Sequence, residues 1–164
     1  MPTTNMTIDA RSLGREQVVG PLAAAVVLAT AITVGIFVPL VGWENIRFLH
    51  VFRWPIVAGI ASLVGLALWL AGPVSTLIAS GKATPWFAGA LLGQGLLLSA
   101  ATVGSIVGML LDFPEDMRIT WEHNLWAYIG SPVTLFGVLG CIPAMFLGAR
   151  WGVRVQRSLV NRIA

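Results

Sequence analysis

Four long stretches of this chain, residues 17–43, 54–81, 83–111 and 124–149, contain no Asp, Glu, Lys, Arg or His. Each is longer than the ~20 apolar residues needed to cross a hydrocarbon core. Lipid offers no water to backbone amides and carbonyls, so a spanning segment must satisfy them by forming a helix or a closed barrel. These runs are apolar at consecutive rather than alternate positions, which argues for helices and against a barrel. The expected spans are residues 18–40, 55–80, 86–111 and 125–149. Charged residues make up only 10% of the chain, against ~25% in a soluble domain. A water-soluble protein of this composition would expose apolar surface everywhere. The expected fold is therefore an all-α integral membrane protein. It is a four-transmembrane-helix bundle of two hairpins, with a C-terminal interfacial amphipathic helix.

Charge outside the spans sets the expected orientation. Four spans leave both termini on one side. That side carries Arg11, Arg15, Lys82, Arg150, Arg154, Arg157 and Arg162, most of the 10 basic residues. Arg47, Arg53 and Arg118 fall on the other. The excess of Lys and Arg in cytoplasmic loops places the chain in the cytoplasmic (inner) membrane with both termini in the cytoplasm. The sequence pI of about 10.0 then reflects a basic rim facing anionic headgroups. Nucleic acid is not an expected partner, because no basic cluster is interleaved with base-stacking aromatics. Trp43, Trp54, Trp121 and Trp126 flank the outer interface, and Trp86 and Trp151 the inner one, as expected of an aromatic belt. Trp69 alone lies well within a span.

The organisation expected along the chain is a cytoplasmic polar tail over residues 1–16, a transmembrane domain over 17–149 and a basic amphipathic cytoplasmic tail over 150–164. The first span exceeds a signal-peptide core of ~7–15 residues, so it reads as retained. The outer loop 41–53 is too apolar for a solvated loop and reads as lying along the membrane surface. The inner loop 80–85 carries Gly81 and Pro85 and reads as a tight turn. In the C-terminal tail, Arg150, Arg154, Arg157 and Asn161 share one helical face, with Val155, Leu159 and Ile163 opposite. This suits a helix lying on the cytoplasmic leaflet; the alternative is a simple extension of the fourth span. Both halves read as span, outer loop with one His, then span, but their residues match too poorly to establish a duplication. Cys141 is the only cysteine, so no intrachain disulfide forms.

Small residues recur at helical spacing inside the spans. Gly89, Gly93, Ala100, Gly104 and Gly108 mark the third. Gly130, Thr134, Gly137, Cys141, Ala144 and Gly148 mark the fourth. Ala58, Ala61, Gly65, Gly72, Ser75 and Ala79 mark the second, and Ala24, Ala31 and Gly35 more weakly the first. Lipid tails are as apolar as leucine, so burial alone does not pair helices; small side chains let backbones approach and gain dispersion contacts. The stripes face either one another inside a monomer or a protein partner or second copy. Pro73, Pro132 and Pro143 should kink their helices.

No span contains an ionisable side chain, which argues against proton coupling, voltage sensing or a Schiff-base pigment. Gln94 is the most polar mid-span residue. It either bonds across helices or contributes to a polar path with Ser99, Thr102 and Ser105. His50 and His123, with Glu122 in support, fall at the outer edge and form a candidate haem or metal site. Neither HExxH nor CxxCH is present, and the sequence requires no cofactor. No nucleophile, activating base and oxyanion site come together, so catalytic residues are not identified. The first expectation is a membrane protein without catalytic machinery, an accessory or structural subunit or a self-associating bundle. The alternatives are a small oligomeric permease or channel, and a redox subunit using the outer histidines.

Overall fold

The computed structural model describes residues 10–27, 31, 49–111, 129–130, 133–134, 137–138 and 140–163. Four helices carry the described chain. They are α1, helical throughout residues 10–27; α2, Leu49–Ala79; α3, Pro85–Leu111; and α4, Cys141–Ile163. No cis peptide occurs among the described residues.

The turn between α2 and α3 is specified locally. Gly81 adopts φ 70°, the left-handed conformation that glycine tolerates best. Its N–H donates to Ile78 O at 3.1 Å, and the Lys82 N–H donates to Leu77 O at 3.1 Å. This pair of bonds is the Schellman stop, which satisfies carbonyls the helix end would otherwise orphan. Thr84 then caps α3, with Ala88 N–H donating to Thr84 O at 2.9 Å. Pro85 follows as the first helical residue, where its missing N–H costs nothing. The two helices return antiparallel across this turn, and α3 also packs extensively against α4. Helices α2 and α4 touch only sparingly, so α3 is the central helix of the three.

Two of the helices are long and apolar enough to cross a membrane: residues Trp54–Ala79 of α2, with hydropathy 2.0, and Pro85–Leu111, with hydropathy 1.7. Only 22% and 11% of their apolar windows is buried inside the chain. Helices at the core of a soluble protein would be covered; these present Ile56, Val57, Trp69, Phe87, Leu91 and Leu110 outward.

Three expectations need correction. Residues 10–16, expected as part of a polar tail, are helical: α1 already runs through them and its first turns are packed. Ala10 and Leu13 are buried, and so is Val18. The residues 10, 13, 14, 17 and 18 follow the i, i+3, i+4 rhythm of a helix face, while Arg11, Arg15 and Glu16 occupy the solvent side. Low overall hydrophobicity hid that face. The second helix begins at Leu49 rather than residue 55, taking in the end of the apolar outer loop and enclosing Pro55 as well as Pro73. The C-terminal tail is not a separate helix on the leaflet. α4 runs unbroken through residue 150, and its apolar row Trp151, Val155 and Leu159 is buried in the same core as Ala10, Leu13 and Val18. Trp151, 1% exposed, is thereby a core residue rather than part of an aromatic belt. Trp86, by contrast, is exposed and meets Phe87 edge-on at 5.7 Å.

Candidate functional site

The most built part of the molecule is a set of helix seams lined by small residues. Between α3 and α4 a Cβ added to Gly89 would collide with Gly148 O, one on Gly148 with Gly89 O, one on Gly93 with Ala144 O, and one on Gly152 with Pro85 O. Three successive turns of each helix therefore lie backbone against backbone. Between α2 and α3, a Cβ on Gly104 would sit 2.8 Å from Pro55 O, one on Gly108 3.3 Å from Pro55 Cγ, and one on Gly59 3.0 Å from Ala100 O. α3 thus uses the start of its stripe toward α4 and the end of it toward α2. Gly137 touches the Leu98 side chain, with a built Cβ 3.1 Å from Leu98 Cδ2.

Gly59, Gly152, Pro55 and Pro85 were not among the packing residues expected from sequence. Gly152 continues the Ala144, Gly148 spacing by one further step, but it lies past Arg150, where the span was taken to end. Pro55 was placed at a helix boundary, whereas it is the residue that rides over Gly104 and Gly108.

A second seam holds α1. Buried Ser75 Oγ lies 2.6 Å from Ala10 O and 2.7 Å from Gly72 O, so its one hydrogen serves either carbonyl. The indole N–H of Trp151 donates to Gly14 O at 3.2 Å. Gln17 Nε2 donates to Ser158 Oγ at 2.6 Å. Gly14 leaves the space this needs: a Cβ there would come 2.7 Å from Ala71 O. The start of α1 is thereby clasped by α2 on one side and the C-terminal end of α4 on the other.

The polar mid-span residues are largely turned to helix carbonyls. Gln94 Nε2 donates to Gly137 O at 3.4 Å, linking α3 to the chain just before α4. Its Oε1 is buried without a hydrogen-bond partner among the described residues. Thr102 Oγ1 donates to Leu98 O at 2.8 Å within α3. The apolar groove between the far ends of α2 and α3, about 390 Å³, is lined by Trp54, Val57, Ala58, Val107 and Leu111. None of Gln94, Ser99, Thr102 or Ser105 borders it.

For the proposed haem or metal site, His50 falls in the first turn of α2. His123 and Glu122 lie outside the described residues. Among the described residues no three His, Cys, Asp or Glu side chains form a metal-holding group. Cys141 is a free thiol whose Sγ lies 3.4 Å from Met145 Sδ, one turn along α4. Comparison of the chain with protein-family models, with curated proteins and with solved structures finds no match.

Proposed function

We propose that this chain is a non-catalytic membrane protein that acts through helix–helix association, as an accessory or structural subunit of a membrane complex or as a self-associating bundle. In this reading it crosses the cytoplasmic membrane four times, with both termini in the cytoplasm and the C-terminal part of α4 projecting beyond the bilayer. Support for the membrane setting comes from the outward apolar surface of α2 and α3 and from their position well inside the chain, which distinguishes them from a signal sequence.

One observation carries the associative role. A Cβ built on Gly65 or Gly95, both mid-helix, would meet nothing within 4 Å among the described residues. A glycine inside a helix costs roughly 1 kcal/mol relative to alanine. At Gly89, Gly93 and Gly148 close helix approach offsets that cost. At Gly65 and Gly95 nothing in the described chain does, and a partner helix would. The permease alternative has one foothold, the unpartnered Oε1 of Gln94, and the redox alternative rests on residues mostly outside those described.

Size measurement in mild detergent and in lipid nanodiscs tests the proposal. The wild-type chain is expected as a defined oligomer or a stoichiometric complex. Gly65→Leu and Gly95→Leu should weaken that association while leaving helix content and thermal stability nearly unchanged. A clean monomer in both media, with no bound protein, would sink it.

A further inference from the structure

We propose that Arg11 and Arg15, seated side by side over Gly72, form a binding site for the phosphate of an anionic lipid headgroup in the cytoplasmic leaflet. The proposal rests on the membrane reading above and adds a ligand and two residues that recognise it.

The geometry has three parts. First, the two arginines lie one turn apart on α1 and converge on one spot of α2. A Cβ on Gly72 would sit 3.4 Å from Arg15 Nε and 3.7 Å from Arg11 Cβ and Cγ. The missing side chain makes the notch into which both stems settle. α1 is held at this point by Ser75 and Trp151, so the pair is fixed to the body of the molecule rather than carried on a free tail.

Second, the notch is not at the end of the helix. Gly72 is seven residues before Ala79, about 10 Å along the axis of α2, and within the segment apolar enough to cross a membrane. Its neighbours one turn away, Leu68 and Trp69, are exposed and apolar. Two cations are thus held at the level where acyl chains give way to headgroups.

Third, the charge is unanswered among the described residues. Glu16 is the only carboxylate among the described residues, and no ion pair joins it to either arginine. Both arginines are exposed. In a bilayer, the anion at hand at this depth is a headgroup phosphate. Guanidinium suits it, since a planar fork of donors matches phosphate oxygens two at a time.

Binding of a fluorescent phosphatidylglycerol to the full-length protein in phosphatidylcholine nanodiscs tests this. An arginine near an anionic lipid contributes about fivefold in binding. Arg11→Gln/Arg15→Gln should therefore bind about 25-fold more weakly than wild type, while Arg162→Gln, at the far end of α4, should bind as wild type does. Inorganic phosphate should not displace the lipid. Equal binding by wild type and the double variant overturns the proposal, and so does displacement by inorganic phosphate, which would make a soluble phosphate the ligand. Protection of residues 10–18 from hydrogen exchange reports that α1 remains docked. If the double variant fails that check, Arg11→Gln and Arg15→Gln are read singly, each expected to lose about fivefold. A chain that does not float with phosphatidylcholine vesicles defeats the membrane reading itself. One that floats but ignores phosphatidylglycerol defeats only the lipid site.

Discussion

A single methyl group separates two kinds of glycine in this chain. At Gly148 the added carbon would collide with Gly89 O, and backbone on both sides leaves no flexible atom to yield. The helices must part, and the neighbouring contacts Gly93 to Ala144 and Gly152 to Pro85 open with them. Gly148→Ala is therefore expected to destabilise the protein by ~1–3 kcal/mol, the usual range for overpacking. At Gly95 the same carbon meets no atom of the described residues within 4 Å. In the isolated chain Gly95→Ala should be neutral or stabilising by up to ~1 kcal/mol, through helix propensity alone. Thermal unfolding of both variants in detergent decides: equal midpoints would mean that α3 and α4 are not in backbone contact. The rhythm of small residues is legible in the sequence, yet Gly65 and Gly72 share one stripe there, and only Gly72 has a neighbour among the described residues. Whether a glycine meets a backbone or open space depends on which stripe faces which, a property of tertiary geometry that one-dimensional spacing does not contain.

At the scale of elements, the docking of α1 is the feature least visible in sequence. A search for spans finds the run from residue 17 and sets aside the polar lead before it. The start of α1 is held by small contacts instead: two small residues, two leucine- or valine-sized ones and three side-chain hydrogen bonds. Neutral bonds of this kind contribute ~0.5–1.5 kcal/mol each. Trp151→Phe, which removes the N–H to Gly14 O together with part of the buried ring, is expected to cost about 1–3 kcal/mol. Trp151→Ala also empties a fully buried site and is expected to cost ~3–5 kcal/mol. Because α2 and α3 meet through Pro55, Gly104 and Gly108, remote from Trp151, the loss should be local. Residues 10–18 should exchange amide hydrogens faster in Trp151→Ala, while the 85–111 helix keeps its protection. Unchanged exchange over 10–18 would rule out the clasp. The same logic explains Trp151 itself. Its position after a run of apolar residues and beside Arg150 matches an interfacial tryptophan, and only the arrival of α1 from the other end of the chain buries it.

At the scale of the whole molecule, packing and charge agree on one end. Gly152 lies against Pro85, Trp151 against Gly14 and Ser75 against Ala10. These contacts gather Arg11, Arg15, Lys82, Arg150 and Arg154 around the turn between α2 and α3, although they come from three separate parts of the sequence. α4 then continues 11 residues past Gly152, about 16 Å, carrying Arg157 and Arg162 further in the same direction. In the reading proposed above, this basic end faces the cytoplasm. The sequence argument counted charges between spans; the folded chain brings them together independently of that count, because the contacts involve no charged group. Orientation can therefore be tested against fold. In a Cys141→Ser background, Lys82→Cys and Arg162→Cys should react with a membrane-impermeant maleimide only in inverted vesicles. Asp116→Cys, between the expected spans 86–111 and 125–149, should react only in intact cells. Labelling of Lys82→Cys and Arg162→Cys from opposite sides would contradict the contact between Gly152 and Pro85, since residues flanking one seam cannot be separated by a bilayer. Labelling of both from outside would leave the packing intact and reverse the orientation. That result would also remove Arg11 and Arg15 from the anionic leaflet, so the lipid site and the topology stand or fall on a shared physical cause.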